Sequence, residues 1–214
     1  MLDETAESVP VMMVNSKPEI MSLPTLSIPS LQDAIASDWV AAEFSGLGGS
    51  SGDAVLAELA KGPMAGPELL EAILPAGSVL VSDDASVQNM MVVSVRGILH
   101  AGSRYRPETQ IVLKDSDAVV YVLAAYCMEF EKENPSNDTR FRLERPDSPL
   151  ARIAKKGASL TVPALQAAVW MHTDSISYWQ MNEKFPISKQ DWAAGQSVFL
   201  DCRSAMATDW PAAP

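Results

Sequence analysis

Few side chains in this sequence sit where their type and spacing could do chemistry. Cys127 closes the stretch "VVYVLAAYCMEF" at residues 119–130, where a long apolar run gives way to charge. Gln166 stands in "PALQAAVW", with Leu165, Ala168 and Val169 around it and Trp170 one turn further along the same side of a helix. A buried glutamine must satisfy one acceptor oxygen and two N–H donors, and failing to do so costs about 1–3 kcal/mol. Either Gln166 bonds to backbone groups of an adjoining strand or loop and pins its helix there, or it engages the thiol chemically.

The thiols leave other possibilities open. The chain has two cysteines, enough for one bridge, so Cys127 and Cys202 can form a disulfide that staples the last helix to the sheet. They can equally be two inert buried thiols. A cysteine hydrolase pairing Cys127 with His172 is a third possibility, although neither flanking pattern is that of a protease. His100 and His172 have no cysteine or carboxylate at metal-ligand spacing, so no metal site and no cofactor are expected. Asp83, Asp84, Asp115 and Asp117 fall in two turns, where they can cap backbone groups or hold calcium.

Those residues need elements to position them. Residues 1–37 contain four prolines, many serines and no sustained period, and read as an extended or disordered arm with at most a short helix near its end. From Trp39 the hydrophobic period shifts towards two. "WVAAEFSGL" and "DAVLAELAKG" flank a glycine-rich connector, "ELLEAILPAGSVLVS" turns at Pro75-Ala-Gly77, and "VQNMMVVSVRGIL" is a further strand. "AVVYVLAAYC" is apolar on both faces and should be a central strand covered on both sides. Helices follow: one from Ser148-Pro149 to Gly157, one capped by Thr161, one over "SYWQMNEKF" and one opened by Ser188. The expected fold is α+β: an antiparallel β-sandwich over residues 38–132, followed by a layer of three to four short helices over 133–214, packed on the sandwich.

Composition narrows the function classes. With a net charge of −11, the chain would repel a phosphate backbone, so no nucleic-acid partner is expected. The longest apolar run, 118–127, is half of the roughly 20 residues that a membrane-spanning helix requires, so no membrane insertion is expected.

Tyr126-Cys127 and "LQAAVW" together resemble the thioester domains of bacterial surface proteins. In that family a cysteine thiol condenses with a glutamine side chain and expels ammonia. The family pattern pairs an aromatic-Cys element with a Thr-Gln-x-Ala-hydrophobic-Trp element, and Leu165 takes the threonine position here. "VQNM" at 87–90 resembles, over half its length, the family's third element, which carries the bond-forming glutamine. The resemblance implies Cys127 with Gln166 or Gln88 as the thioester pair, and covalent attachment to a partner surface as the function.

The readings therefore run from a secreted or surface-exposed, non-catalytic binding or structural domain, through a thioester-type adhesin domain, to a cysteine hydrolase. The expected partner is an unidentified protein or cell-surface ligand. The expected location is secreted or at the cell surface, with the cytoplasm as the alternative.

Overall fold

A computed structural model describes residues 27–100 and 104–208. Most of the expected arm, 1–26, lies outside the described residues. Its end does not: Ser30 caps a short helix α1 (Leu31–Ala36) by accepting from the Asp33 N–H, and Leu31 and Ala34 are fully buried.

The strands are β1 (Val40–Gly46), β2 (Ser51–Lys61), β3 (Leu70–Ala72), β4 (Val79–Ser82), β5 (Met90–His100), β6 (Arg104–Pro107), β7 (Ile111–Leu113), β8 (Val119–Cys127) and β9 (Arg140–Glu144). The helices after β9 are α2 (Ser148–Gly157), α3 (Val162–Thr173), α4 (Tyr178–Lys184) and α5 (Lys189–Thr208).

The expected sandwich is overturned. The main sheet runs β4-β9-β1-β2-β8-β5-β6, and β4 also pairs with β5, which closes six antiparallel strands into a barrel and leaves β6 as an extra strand. The strand β5 makes the closure possible by serving two neighbours along one edge. Its start, at Met90 and Met91, pairs with β4, while its end, Gly97–His100, peels away to pair with β6. Register shifts between Val92 and Ser94 and between Val95 and Gly97 mark where it bends, as bulges do at barrel corners.

The second closing piece is β9, which lies inside the stretch expected to be helical. It bridges β1 through Phe44↔Phe141 and β4 through Leu80↔Leu143. After His100, Arg104–Pro107 form β6 and pair with the end of β5. Ile111–Leu113 forms no hairpin with β8 but pairs with β3 in a separate two-stranded sheet.

Alternation along β8 sorts its side chains between two cores. Tyr121, Leu123, Ala125 and Cys127 point into the barrel with Val55, Leu59, Leu80, Met90 and Phe141. Tyr126 points outward with Met91, into a second core made by Leu150 and Ile153 of α2, Leu165, Ala168 and Val169 of α3, and Cys202 of α5. The sequence expectation of a central strand covered on both faces is met, by a barrel interior on one side and helices on the other.

The four helices form a layer over this wall, although α5, at 20 residues, is not short. Gly195 lets α5 lie directly on α3: a Cβ there would sit 2.3 Å from the Ala164 carbonyl oxygen. The N-cap of α2 is Asp147 rather than Ser148, with its side chain accepting from the Leu150 N–H. Among the described residues, no helix is long and apolar enough to cross a membrane.

Candidate functional site

Helix α3 positions the site. Thr161 caps it by accepting from the Ala164 N–H, Pro163 occupies its first turn where no N–H is missed, and every residue from Ala164 to Met171 is buried. Such a helix is apolar all round because it is covered all round. Leu165, Ala168 and Val169 join the outer core, whereas Ala167, Trp170 and Met171 join the barrel core. Gln166 is the polar residue in this run, 3% exposed.

Gln166 reaches the end of β8. Its Nε2 donates to the main-chain carbonyl of Cys127 at 2.7 Å, so the helix is fastened to the strand by a side-chain amide. The spatial relation that the sequence suggested between positions 127 and 166 is present, and it is made to the cysteine backbone. Gln166 Oε1 has no hydrogen-bond partner among the described residues.

The sulfur of Cys127 faces elsewhere. The residue is fully buried, its N–H donates to the Ser50 carbonyl at 3.0 Å, and Sγ lies 3.4 Å from the Met90 thioether sulfur. Burial, helped by the nearby Glu129 carboxylate, pushes this thiol up to about 12. It is held protonated at neutral pH, and its hydrogen-bond partner is Met90 rather than His172, which ends α3. The hydrolase arrangement of Cys127 with His172 finds no activated nucleophile here.

The Cys127–Cys202 bridge is not formed. Both thiols are free, and they belong to different cores. The strand alternation that points Tyr126 towards the helices points Cys127 into the barrel, away from the cluster that holds Cys202. The Cys202 thiol is also raised by burial.

Gln88, the other glutamine considered, is 1% exposed and is tied to a different loop. Its Nε2 donates to the Lys132 carbonyl and to Asn134 Oδ1, each at 3.2 Å. Its Oε1, too, has no partner among the described residues. The next residue, Asn89, donates from its N–H and its Nδ2 to Glu129 at 2.7 and 2.6 Å, so this strand lead-in is held against the chain that follows β8.

A cavity of about 210 Å³ opens beside Gln166. Pro163, Gln166 and Trp170 of α3 form one side, Met181 of α4 and Phe185 another, and Ser51 at the start of β2 completes it. Trp170 is 1% exposed and wedged against two rings, Phe130 and Phe185, each with its centroid 5.1 Å away. The Trp170 indole Nε1 has no acceptor among the described residues. Lys184 donates to the Phe130 carbonyl and stands 4.7 Å over that ring, which steadies the aromatic group from outside.

The sequence pointed to Gln166 but missed the cavity and the role of Trp170, whose three-dimensional neighbours come from α4 and from residues 130 and 185. Two of the four aspartates considered for calcium cap turns: Asp84 accepts from the Ser86 N–H and hydroxyl, and Asp115 accepts from the Asp117 N–H. Among the described residues, no group of three or more His, Cys, Asp or Glu is arranged to hold a metal ion.

In comparisons with known proteins, no family model matches this chain, and no curated protein or solved structure matches it. What the fold and the site define is an α+β domain, a closed barrel with a helical layer, with two glutamines and a tryptophan among its deeply buried polar side chains.

Proposed function

We propose that this chain is a non-catalytic binding domain, secreted or displayed at a cell surface, that holds its ligand in the cavity beside α3. One observation carries this reading: Gln166 Oε1 and Trp170 Nε1, both deeply buried and without a partner among the described residues, belong to side chains that line the same cavity. Leaving a buried acceptor and a buried donor unmade costs about 1–3 kcal/mol each, a cost removed if a ligand in the cavity draws the two side chains towards it. The protonated thiol at Cys127 supports a role without covalent turnover. The acidic composition and the resemblance to bacterial surface domains support the location.

The test is a fragment titration of the intact chain, followed through the indole N–H resonance of Trp170. The reading expects fragments of at least one chemical class to move that signal, and expects Cys127→Ala to leave the response intact. If no fragment of any class moves it, the binding reading is abandoned.

A second reading is favoured by the contact between Gln166 Nε2 and the Cys127 carbonyl. A thioester would form by attack of the Cys127 sulfur on the Gln166 side-chain carbonyl carbon. The new S–C bond replaces the C–N bond, and the thiol proton leaves with the amide nitrogen as ammonia. An outside amine or hydroxyl would then open the thioester and leave the chain covalently attached to its bearer. Intact mass decides: a thioester shows the loss of one ammonia and takes up methylamine. Repeating the measurement on Gln166→Ala and Gln88→Ala identifies the acyl donor.

A further inference from the structure

We propose that the cavity beside α3 takes a small, uncharged aromatic molecule built on a single ring. This rests on the binding reading above and names its ligand class.

Charge comes first. None of the nine residues lining the cavity is ionisable at neutral pH. An ammonium or carboxylate seated there would surrender its hydration without meeting a counter-charge. The Gln166 Oε1 and the Trp170 Nε1 are buried out of contact with solvent, and the Gln166 Nε2 is committed to the Cys127 carbonyl. These two side chains therefore meet the cavity mainly through carbon.

Size comes next. At about 210 Å³ the space exceeds the roughly 150 Å³ of an apolar cavity that stays dry and takes up benzene. It is below the roughly 300 Å³ at which pockets for drug-sized ligands begin. One ring with a short substituent satisfies both bounds. The cavity is open to entry: of its lining residues, Val162, Pro163 and Pro186 are exposed, whereas Gln166, Trp170 and Met181 are buried and form its floor. Apart from Val162, no exposed large aliphatic or aromatic side chain among the described residues lines it. A docking protein would find little apolar surface there beside the roughly 800 Å² per partner of a specific interface, so the occupant is a free molecule.

The walls then favour an aromatic ring over an aliphatic one. Trp170 and Phe185 pack against each other with their planes tilted by 38°, and Phe130 stands edge-on to Trp170. A ring seated against Trp170 and Phe185 extends this cluster, and aromatic rings gain from one another beyond the area they bury. The Met181 thioether, on another side of the cavity, favours an aromatic neighbour in the same way. An aliphatic ring of equal size gains the burial alone.

The experiment uses the intact chain, carbon-13 labelled at its methionine methyl groups, and four single-ring probes at neutral pH: toluene, methylcyclohexane, benzylammonium and benzoate. The Met181 methyl signal, assigned by its absence in Met181→Leu, reports occupancy. Toluene is expected to shift this signal through its ring current and to show nuclear Overhauser contacts to Met181 and Phe185. Methylcyclohexane is expected to bind at least about threefold more weakly, and the two charged probes at least about tenfold. Should Met181→Leu fold poorly, the contacts between toluene and the Phe185 ring still locate the probe. Equal affinity for toluene and methylcyclohexane would overturn the aromatic assignment, and charged probes as tight as toluene would overturn the uncharged one. If toluene leaves Met181 unmoved while another fragment class moves the Trp170 indole resonance, this ligand class falls and the binding reading stands. Silence in both signals from every class removes both.

Discussion

The Gln166 side-chain amide donates to the Cys127 main-chain carbonyl at 2.7 Å, joining the most deeply covered helix of the layer to the last residue of the central barrel strand. That bond crosses from α3 to β8 between two residues that are 3% and 0% exposed. It is formed away from water, and it fixes the orientation of the amide whose other polar atom is left free.

Breaking this bond while filling the space has a foreseeable cost. Gln166→Met removes the donor and the orphaned acceptor together, and should destabilise the fold by about 1 kcal/mol in chemical denaturation. Gln166→Glu places a carboxyl in the same apolar setting and should cost more at neutral pH. A result in which both variants match the parent would mean that the bond does not hold α3 in place.

The Cys127 thiol links stability to alkaline pH. Its folded-state pKa, about 12, lies above the ordinary value of 9.0. A raised folded pKa gives stability that is fully present below the unfolded value and lost as pH rises through the window up to the folded one. Between about pH 9 and 12, stability should therefore fall by up to ~1.4 kcal/mol per pH unit from this group. Tyrosines and lysines titrate in the same range, so the quantity to measure is the difference from Cys127→Ala, which lacks the slope. Identical slopes would show that the thiol ionises freely in the folded chain.

Both thiols should resist alkylation in the native state. Cys127 and Cys202 are free and buried, with thiols raised by burial. Iodoacetamide should label neither until denaturant is added, and then both, as counted by mass. Rapid labelling of either in the native chain would contradict the burial described.

Gly195 tests the contact between α5 and α3. With a Cβ placed 2.3 Å from the Ala164 oxygen, Gly195→Ala forces the helices apart. The higher helix propensity of alanine offsets about 1 kcal/mol at most, and the net loss should be about 1–3 kcal/mol in a thermal or urea melt. A neutral or stabilising effect would show that the two helices are not in direct backbone contact.

The barrel seam offers a local test. Strands β4 and β5 share only Val79↔Met91 and Leu80↔Met90, while Leu80 is fully buried. Leu80→Ala should cost about 2–5 kcal/mol, and hydrogen exchange should show the β4–β5 amides losing protection before those of β2 and β8. Simultaneous loss everywhere would make the seam no weaker than the rest of the wall.

The local elements were legible in the residue pattern alone. Alternating side chains specified β1 and β2 as a hairpin, the doubly apolar run specified β8 as central, and Thr161 and Ser188 marked helix starts because their hydroxyls satisfy free N–H groups within a few residues. The residue pattern also singled out Gln166, because a glutamine in a fully apolar helix needs a partner wherever that helix docks. Long-range packing chose between sandwich and barrel: the same period of two serves both, and closure depends on β9 and on the bends of β5, which bring together strands far apart in the chain. It also decided that Cys127 points inward and away from Cys202, since one residue of register reverses every side chain of a strand. The cavity beside Gln166 and Trp170 belongs to the same category, because its walls come from α3, α4, the start of β2 and the turn after α4, whose meeting is set by long-range packing rather than by any local pattern.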